Sequence, residues 1–367
     1  MMSRDTTTED TISMVRDAAH AFCTERSRRI GADADTAARL WSEIAKLGWL
    51  GVSINEDLGG SASGLPAAGV IACELGRAGY TRGYAETVAI ATALTRAGLQ
   101  TQAPVAALIR AVATGSIQLT FLRALTEQTN NLDGQHGLIP DAGAERLGVL
   151  RWSQVSGLTL CELDRSERNH TVRTTSRATD LIIRLEPTDR GQMPKVWGLA
   201  IGRDARLIWD DALMLYRCLA AAQLVGTSQA ALAVCIDYAK VRTQFGHVIG
   251  TYQAVQHTLV DILAASDAAE LLTFKALSAI DQQAPDQASI AAAATAFTRE
   301  AAWNCLMKTY DVLGGVGFME EHPINILTRA MLPVIAGLGS AHDCEDRVAT
   351  HVRSGHWLSQ TQETPTP

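Results

Sequence analysis

The chain has 367 residues, 47% of them hydrophobic and 19% charged, with 32 Lys+Arg against 39 Asp+Glu. That length suits two or three domains with an ample core and excludes wholesale disorder. A net charge of -7 argues against a nucleic-acid protein, which needs a concentrated basic face. No apolar run reaches the roughly 18 residues of a membrane span, and the opening MMSRDTTTED lacks the apolar core of a secretory signal. Cys23, Cys73, Cys161, Cys218, Cys235, Cys305 and Cys344 are scattered, odd in number and without a CxxC pair. The expectation is a reduced, cytoplasmic protein.

Residues 1–116 read as a helical domain. Ile12, Val15, Ala19 and Phe22 share one helical face, and Leu40, Ile44 and Leu47 another, with Gly48 placed to end that helix in a left-handed cap. Pro66 opens a third helix through Val70, Ile71, Cys73 and Leu75 until Gly76 and Gly79 weaken the pattern. Stretches 87–97 and 105–113 complete the set. Across 117–211 the apolar runs shorten (147–150, 158–160, 181–185, 196–201, 207–209) and are broken by Asp, Asn, Gly and Pro, which predicts a reduced middle β domain. From 212 to 357 the helices lengthen. Leu224, Ser228, Ala231, Cys235 and Ala239 form one stripe beside Gly226, and 252–281 and 287–313 are Ala-rich, separated by Pro285. With Pro323 opening the last helical region, this predicts a C-terminal four-helix bundle. Residues 358–367 read as a disordered tail. The fold class is α+β: helical, then β, then helical, with no internal repeat.

Two stretches carry the chemistry, Arg242-Thr-Gln244-Phe245-Gly, with Gln253 beyond it, and Gly314-Gly315-Val-Gly317-Phe. With 40–52 and Leu58-Gly-Gly60, they resemble the acyl-CoA dehydrogenase family over both helical domains. The resemblance implies a dimer of dimers with FAD held between subunits. One chain's middle domain and bundle surround the isoalloxazine and the acyl-CoA. The neighbour's C-terminal domain supplies RxQFG and QxxGGxG elements to the pyrophosphate and adenosine. By that likeness the cofactor residues here are Arg242, Gln244, Phe245, Gln253, Asp311, Gly314, Gly315 and Thr126. A guanidinium forks onto a diphosphate, an aromatic ring packs on adenine, and glycines admit close backbone approach. Asp311 stands where the family has Gln; a carboxylate repels phosphate, though it can accept from a ribose hydroxyl.

The middle domain departs further. The family's TEPxxGSD corresponds to Thr126-Glu127-Gln-Thr-Asn-Asn-Leu132-Asp133, where Leu132 replaces a hydroxyl, and WIT survives only as Trp152-Ser-Gln154. Such a chain grips a flavin of its own poorly. The family reaction also needs a carboxylate to remove the α-proton of the acyl thioester while a hydride leaves the β-carbon for the flavin. One family position for it holds Leu338 and the alternative holds Tyr216, a phenol that titrates at about 10 in water. Asp343 lies about 140° around a helix from Leu338, Glu320 and Glu321 sit in the GGxGF loop, and the 342–346 cluster lacks a zinc spacing. There is no Walker A, GxSxG or HExxH motif, and no complete GxGxxG.

The resemblance therefore implies a non-catalytic, β-type subunit of a heteromeric acyl-CoA dehydrogenase. Its partner is a catalytic acyl-CoA dehydrogenase subunit in a heterotetramer, and its substrate an acyl-CoA, of the bulky steroid-derived kind such pairs use. A self-sufficient flavin oxidase or monooxygenase of the same fold and a flavin-free structural subunit are the alternatives.

Overall fold

The computed structural model describes residues 3–26, 34–121, 136–140, 144–154, 156–164, 172–174, 180–184 and 195–353. Thr126, Glu127, Leu132 and Asp133, and the tail 358–367, lie outside the described residues. Five helices come first: α1 (Ser3–Arg26), α2 (Ala34–Lys46), α3 (Gly64–Arg77), α4 (Tyr84–Arg96) and α5 (Ala103–Ala113). Strands β1 (Ile117–Phe121), β2 (His136–Pro140), β3 (Arg146–Ser153), β4 (Gly157–Asp164), β5 (Val172–Thr174), β6 (Asp180–Arg184) and β7 (Lys195–Ala200) follow. Then come α6 (Gly202–Val241), β8 (Thr243–Gln244), β9 (His247–Val248), α7 (Gln253–Asp281), α8 (Gln287–Leu313), α9 (Ile324–Gly337) and α10 (Ala341–Arg353).

These elements form two compact units. One contains Met1–Ile30, Leu65–Thr81 and Arg217–Pro367; the other contains Gly31–Gly64 and Arg82–Tyr216. In the first, α7 and α8 pack as a long pair, with α10 and α9 against α8. Helix α3 ends at Arg77, between Gly76 and Gly79 where the pattern weakens, and Gly76 is where it crosses α6. A Cβ at Gly76 would collide with the Gln223 carbonyl, and one at Gly226 with the Cys73 carbonyl. The missing side chains let the two backbones touch. The amide of Leu65 donates to Asp281 Oδ1 at 2.9 Å, so α7 caps the start of α3. Of the face predicted on α1, Ala19 is buried while Ile12, Val15 and Phe22 are half-buried; Cys23 is buried beside them, and the helix is tied down by Arg16–Glu270 at 3.4 Å and His20–Glu74 at 2.9 Å.

In the second unit, Leu40 and Ile44 are buried as expected, and Gly48 adopts φ 74°. Leu47, predicted on the same face, is instead half exposed, because α2 ends at Lys46 and the chain leaves the helical path there. One sheet has the order β1-β3-β4-β7 and a second β2-β6-β5. Strand β1 pairs parallel to β3, and β3 antiparallel to β4. The Thr87 hydroxyl on α4 accepts from the Leu119 amide at 3.0 Å and donates to its carbonyl at 3.1 Å, which satisfies the edge of β1. Residues 207–209, predicted as strand, belong to α6. Ala205, Ile208, Ala212 and Leu215 are buried at helical spacing while Leu207 is exposed, so the 3.6-residue period governs. Helix α6 also holds an 18-residue window apolar enough to cross a membrane, which the reading of runs missed; 72% of that window is buried inside the protein. Its apolar residues are taken up by core packing.

Candidate functional site

The site lies within the first unit, where α6 ends. After Val241 the chain reverses through β8 and β9, paired Thr243↔Val248 and Gln244↔His247. The two turn residues, Phe245 and Gly246, have φ of 53° and 82°. Positive φ at both centres is the signature of a type I′ hairpin turn, which ordinarily takes Asn-Gly. Here the first centre is a phenylalanine whose side chain is 92% exposed. A strained aromatic held out in water is unexplained by folding and points to contact with something else. The Ile249 amide donates to the Arg242 carbonyl at 2.8 Å, and the Tyr252 hydroxyl to the Gln244 carbonyl at 2.9 Å. The hairpin is thus fastened to the start of α7.

The end of α8 faces it. Gly314 leaves the helix at φ 59°, ψ −143°, and Gly314–Phe318 form a short three-ten helix. Nothing lies within 4 Å of where a Cβ would stand at Gly314 or Gly315. Between these segments is a cleft of about 480 Å³, lined among others by Tyr238, Arg242, Gln244, Gly314, Gly315 and Met319. Among the described residues the Arg242 guanidinium has no acidic partner, so its charge and forked donors are available to an anion.

The structure therefore brings together Arg242, Gln244, Gly314 and Gly315, from segments about seventy residues apart in sequence. Phe245 stands at the hairpin tip rather than in the cleft wall. Gln253 is exposed in the first turn of α7, 3.4 Å from His257, and Asp311 is exposed one turn before Gly314; neither lines the cleft. Tyr238 and Met319 line it without having been singled out. Tyr238 was findable, since it lies one helical turn before Arg242, whose amide donates to the Tyr238 carbonyl at 2.9 Å. The unmatched Arg, the exposed ring and the open glycine backbone suit the ADP half of a dinucleotide.

The positions considered for a base are elsewhere. Leu338 is 1% exposed, and its carbonyl accepts from Arg347 at 2.9 Å, while Arg299 donates to the Gly339 carbonyl at 2.8 Å. Tyr216, in the second unit, is buried with its ring 5.5 Å from that of Phe121. Asp343 is spent on local structure. Its Oδ2 accepts from the Ser340 hydroxyl at 2.7 Å and the Ser340 amide at 2.8 Å, a capping box at the start of α10. Those bonds, with Arg347 and His342 nearby, hold its carboxyl below the usual range. Glu320 is exposed and 3.8 Å from Arg329; His342 and Asp346 pair at 3.4 Å on the surface of α10. Trp152, also in the second unit, has the Arg206 guanidinium 4.7 Å over its ring.

The helical–β–helical order is that of the acyl-CoA dehydrogenase fold, and comparison places the chain within that class. The acyl-CoA dehydrogenase N-terminal domain matches residues 9–115 and the acyl-CoA dehydrogenase C-terminal domain residues 208–350. The chain belongs to the acyl-CoA dehydrogenase family, whose members use FAD. Probable acyl-CoA dehydrogenase FadE25 of Mycobacterium tuberculosis is 35% identical over 108 residues, which is 29% of this chain and only 28% of that protein. A solved variant of the Tcur3481–Tcur3483 steroid ACAD has a TM-score of 0.76 at 25% identity, covering 95% of this chain and 99% of that one. The ChsE4–ChsE5 complex from Mycobacterium tuberculosis shares the fold, with a TM-score of 0.71 at 21% identity and 98% of each chain covered.

Proposed function

We propose that the chain is a subunit of an FAD-dependent acyl-CoA dehydrogenase that completes a catalytic partner's flavin site and has no base of its own. The observation that carries this is the pairing of an outward-facing cleft (Arg242, Gln244, Gly314, Gly315, with Phe245 at its rim) with buried side chains that are not carboxylates, Leu338 and Tyr216, at the two positions considered for the base. In this reading Arg242 holds the diphosphate by charge-assisted hydrogen bonds, Phe245 covers the adenine, and the open backbone at Gly314 and Gly315 admits the phosphates. Bound FAD supplies the hydride acceptor. Proton removal from the acyl thioester falls to the partner's carboxylate, and the assembly is a heterotetramer in the cytoplasm.

The likeness to the Tcur3481–Tcur3483 steroid ACAD, named for two components, supports both the paired architecture and a bulky, steroid-type acyl-CoA. Loss of half the active sites leaves room for a wide substrate. Asp311 favours a second reading, a flavin-free structural subunit, since a carboxylate near the Gly-rich turn opposes a diphosphate. Co-expression with the catalytic partner separates the two. Arg242→Ala is expected to release FAD from the purified complex without loss of helical content, because an exposed side chain is removed. If the Arg242→Ala complex keeps FAD as tightly as the wild type, the cleft does not hold the cofactor.

A further inference from the structure

The cleft wall at Gly314–Phe318 is built from weak material. It is a five-residue three-ten helix containing three glycines. Such helices seldom exceed three or four residues, and glycine loses the most backbone entropy on ordering. The contacts that order this wall come from the first turn of α9 and from Tyr310 on α8. Asn325 Nδ2 donates to the Gly317 carbonyl at 3.2 Å and to the Met319 carbonyl at 2.6 Å. The Asn325 amide donates to the His322 carbonyl at 3.0 Å. Tyr310 packs its ring on Phe318, centroids 4.8 Å apart, and its hydroxyl lies 2.9 Å from Thr328 Oγ1 and 3.4 Å from Asn325 Oδ1. Beneath them Leu313, Ile324 and Leu327 share one buried core, so α9 is a firm base.

We propose that Asn325 is a positioning residue of this cleft. It does not line the cleft; its carboxamide fixes the backbone that does. Both amide hydrogens are used, on two carbonyls that bracket the end of the Gly-rich turn, and only a side chain with two donors at that reach can make both bonds. Aspartate has the same shape but only acceptors, and sets a negative charge against two carbonyl oxygens. The inference rests on the reading that the cleft takes the ADP half of FAD. It adds that this capacity depends on a residue of α9 outside the RxQFG and GGxG segments.

The test uses the full chain co-purified with its catalytic partner, FAD as the probe, and the variants Asn325→Asp, Asn325→Ala and Arg242→Ala. The expected result for Asn325→Asp is amide exchange across 314–322 about tenfold or more faster, and FAD release faster by about the same factor, each set by two lost hydrogen bonds. Exchange in α7 and α8 should be unchanged, which a general loss of folding would not leave. If Asn325→Asp does not fold, Asn325→Ala removes the donors without adding charge and decides the matter. Unchanged exchange and FAD release in folded variants would make Asn325 a helix-start residue only. Unchanged FAD release in the Asn325 variants, while Arg242→Ala does release FAD, overturns this inference and leaves the functional reading standing. FAD release unchanged in all three variants overturns both.

Discussion

Replacing Phe245 by asparagine should make the protein more stable and a worse cofactor binder. At φ 53° the phenylalanine occupies the left-handed region, which costs a residue with a Cβ about 1–2 kcal/mol and is largely spared to Asn. Because the side chain is 92% exposed, little packing is lost in return. Under a tenth of the roughly 200 Å² of an aromatic side chain is buried, worth about 0.4 kcal/mol at ~25 cal/mol/Å². The balance is a gain of about 1 kcal/mol, and Asn-Gly is the pair a type I′ turn favours. Phe245→Asn should therefore slow amide exchange in Thr243–Val248 and raise the thermal midpoint by on the order of 1–3 °C. Removing an aromatic platform from adenine costs about 1–3 kcal/mol of binding, so FAD retention by the heteromer should fall about tenfold. A variant that is less stable than wild type, or that holds FAD equally well, would refute the view of Phe245 as a strained ligand contact.

Leu338→Glu should not confer dehydrogenase activity on this chain; it buries a carboxyl at a position 1% exposed and should cost about 1–3 kcal/mol, read by denaturant titration against acyl-CoA-dependent flavin bleaching. Gly226→Ala should destabilise by about 1–3 kcal/mol, since its Cβ would strike the Cys73 carbonyl where α3 crosses α6; a neutral result means the helices slide apart freely. Burial pushes the thiols of Cys23, Cys73 and Cys218 up to about 12, so native protein at pH 8 should resist iodoacetamide at these sites while denatured protein reacts; fast native labelling would show that they open to solvent. Asp343 titrates below an ordinary carboxyl because Ser340 donates to it, so its cap is intact above the unfolded carboxyl pKa and is lost as pH falls through the lower folded value. Exchange at the start of α10 should accelerate only at strongly acid pH, and Asp343→Asn should abolish that dependence.

Legibility tracked how local the signal was. Gly48 ending α2, Pro66 opening α3 and the stripe from Leu224 to Ala239 depend on neighbours along the chain, and each appears in the structure close to its predicted place. Leu207-Ile-Trp209 misled because an apolar triplet has no period; only with Ala205 and Ala212 does it read as helix. Strand β1 was not among the runs read as strand although Ile117-Gln-Leu-Thr-Phe121 alternates apolar and polar residues; the structure buries all five, Gln118 and Thr120 included, so the alternation marks no solvent face. At the site, the glycines and Arg242 were legible because they fall in recognisable motifs. The φ of Phe245, the closing of the hairpin by Tyr252 and the grip of Asn325 on the Gly-rich turn are local in the chain, but they follow from backbone conformation and side-chain reach in irregular segments, which no hydrophobic period or motif spacing encodes.

The central claim is that this chain lends half a flavin site to a partner and cannot fill one alone. The direct measurement is the molar ratio of FAD to polypeptide, by flavin absorbance after gel filtration, for the chain expressed alone and for the complex with its catalytic partner. The account predicts a folded, helical and nearly flavin-free lone chain, and a complex with one FAD for every pair of unlike chains. One FAD per chain in the lone homomer would contradict it.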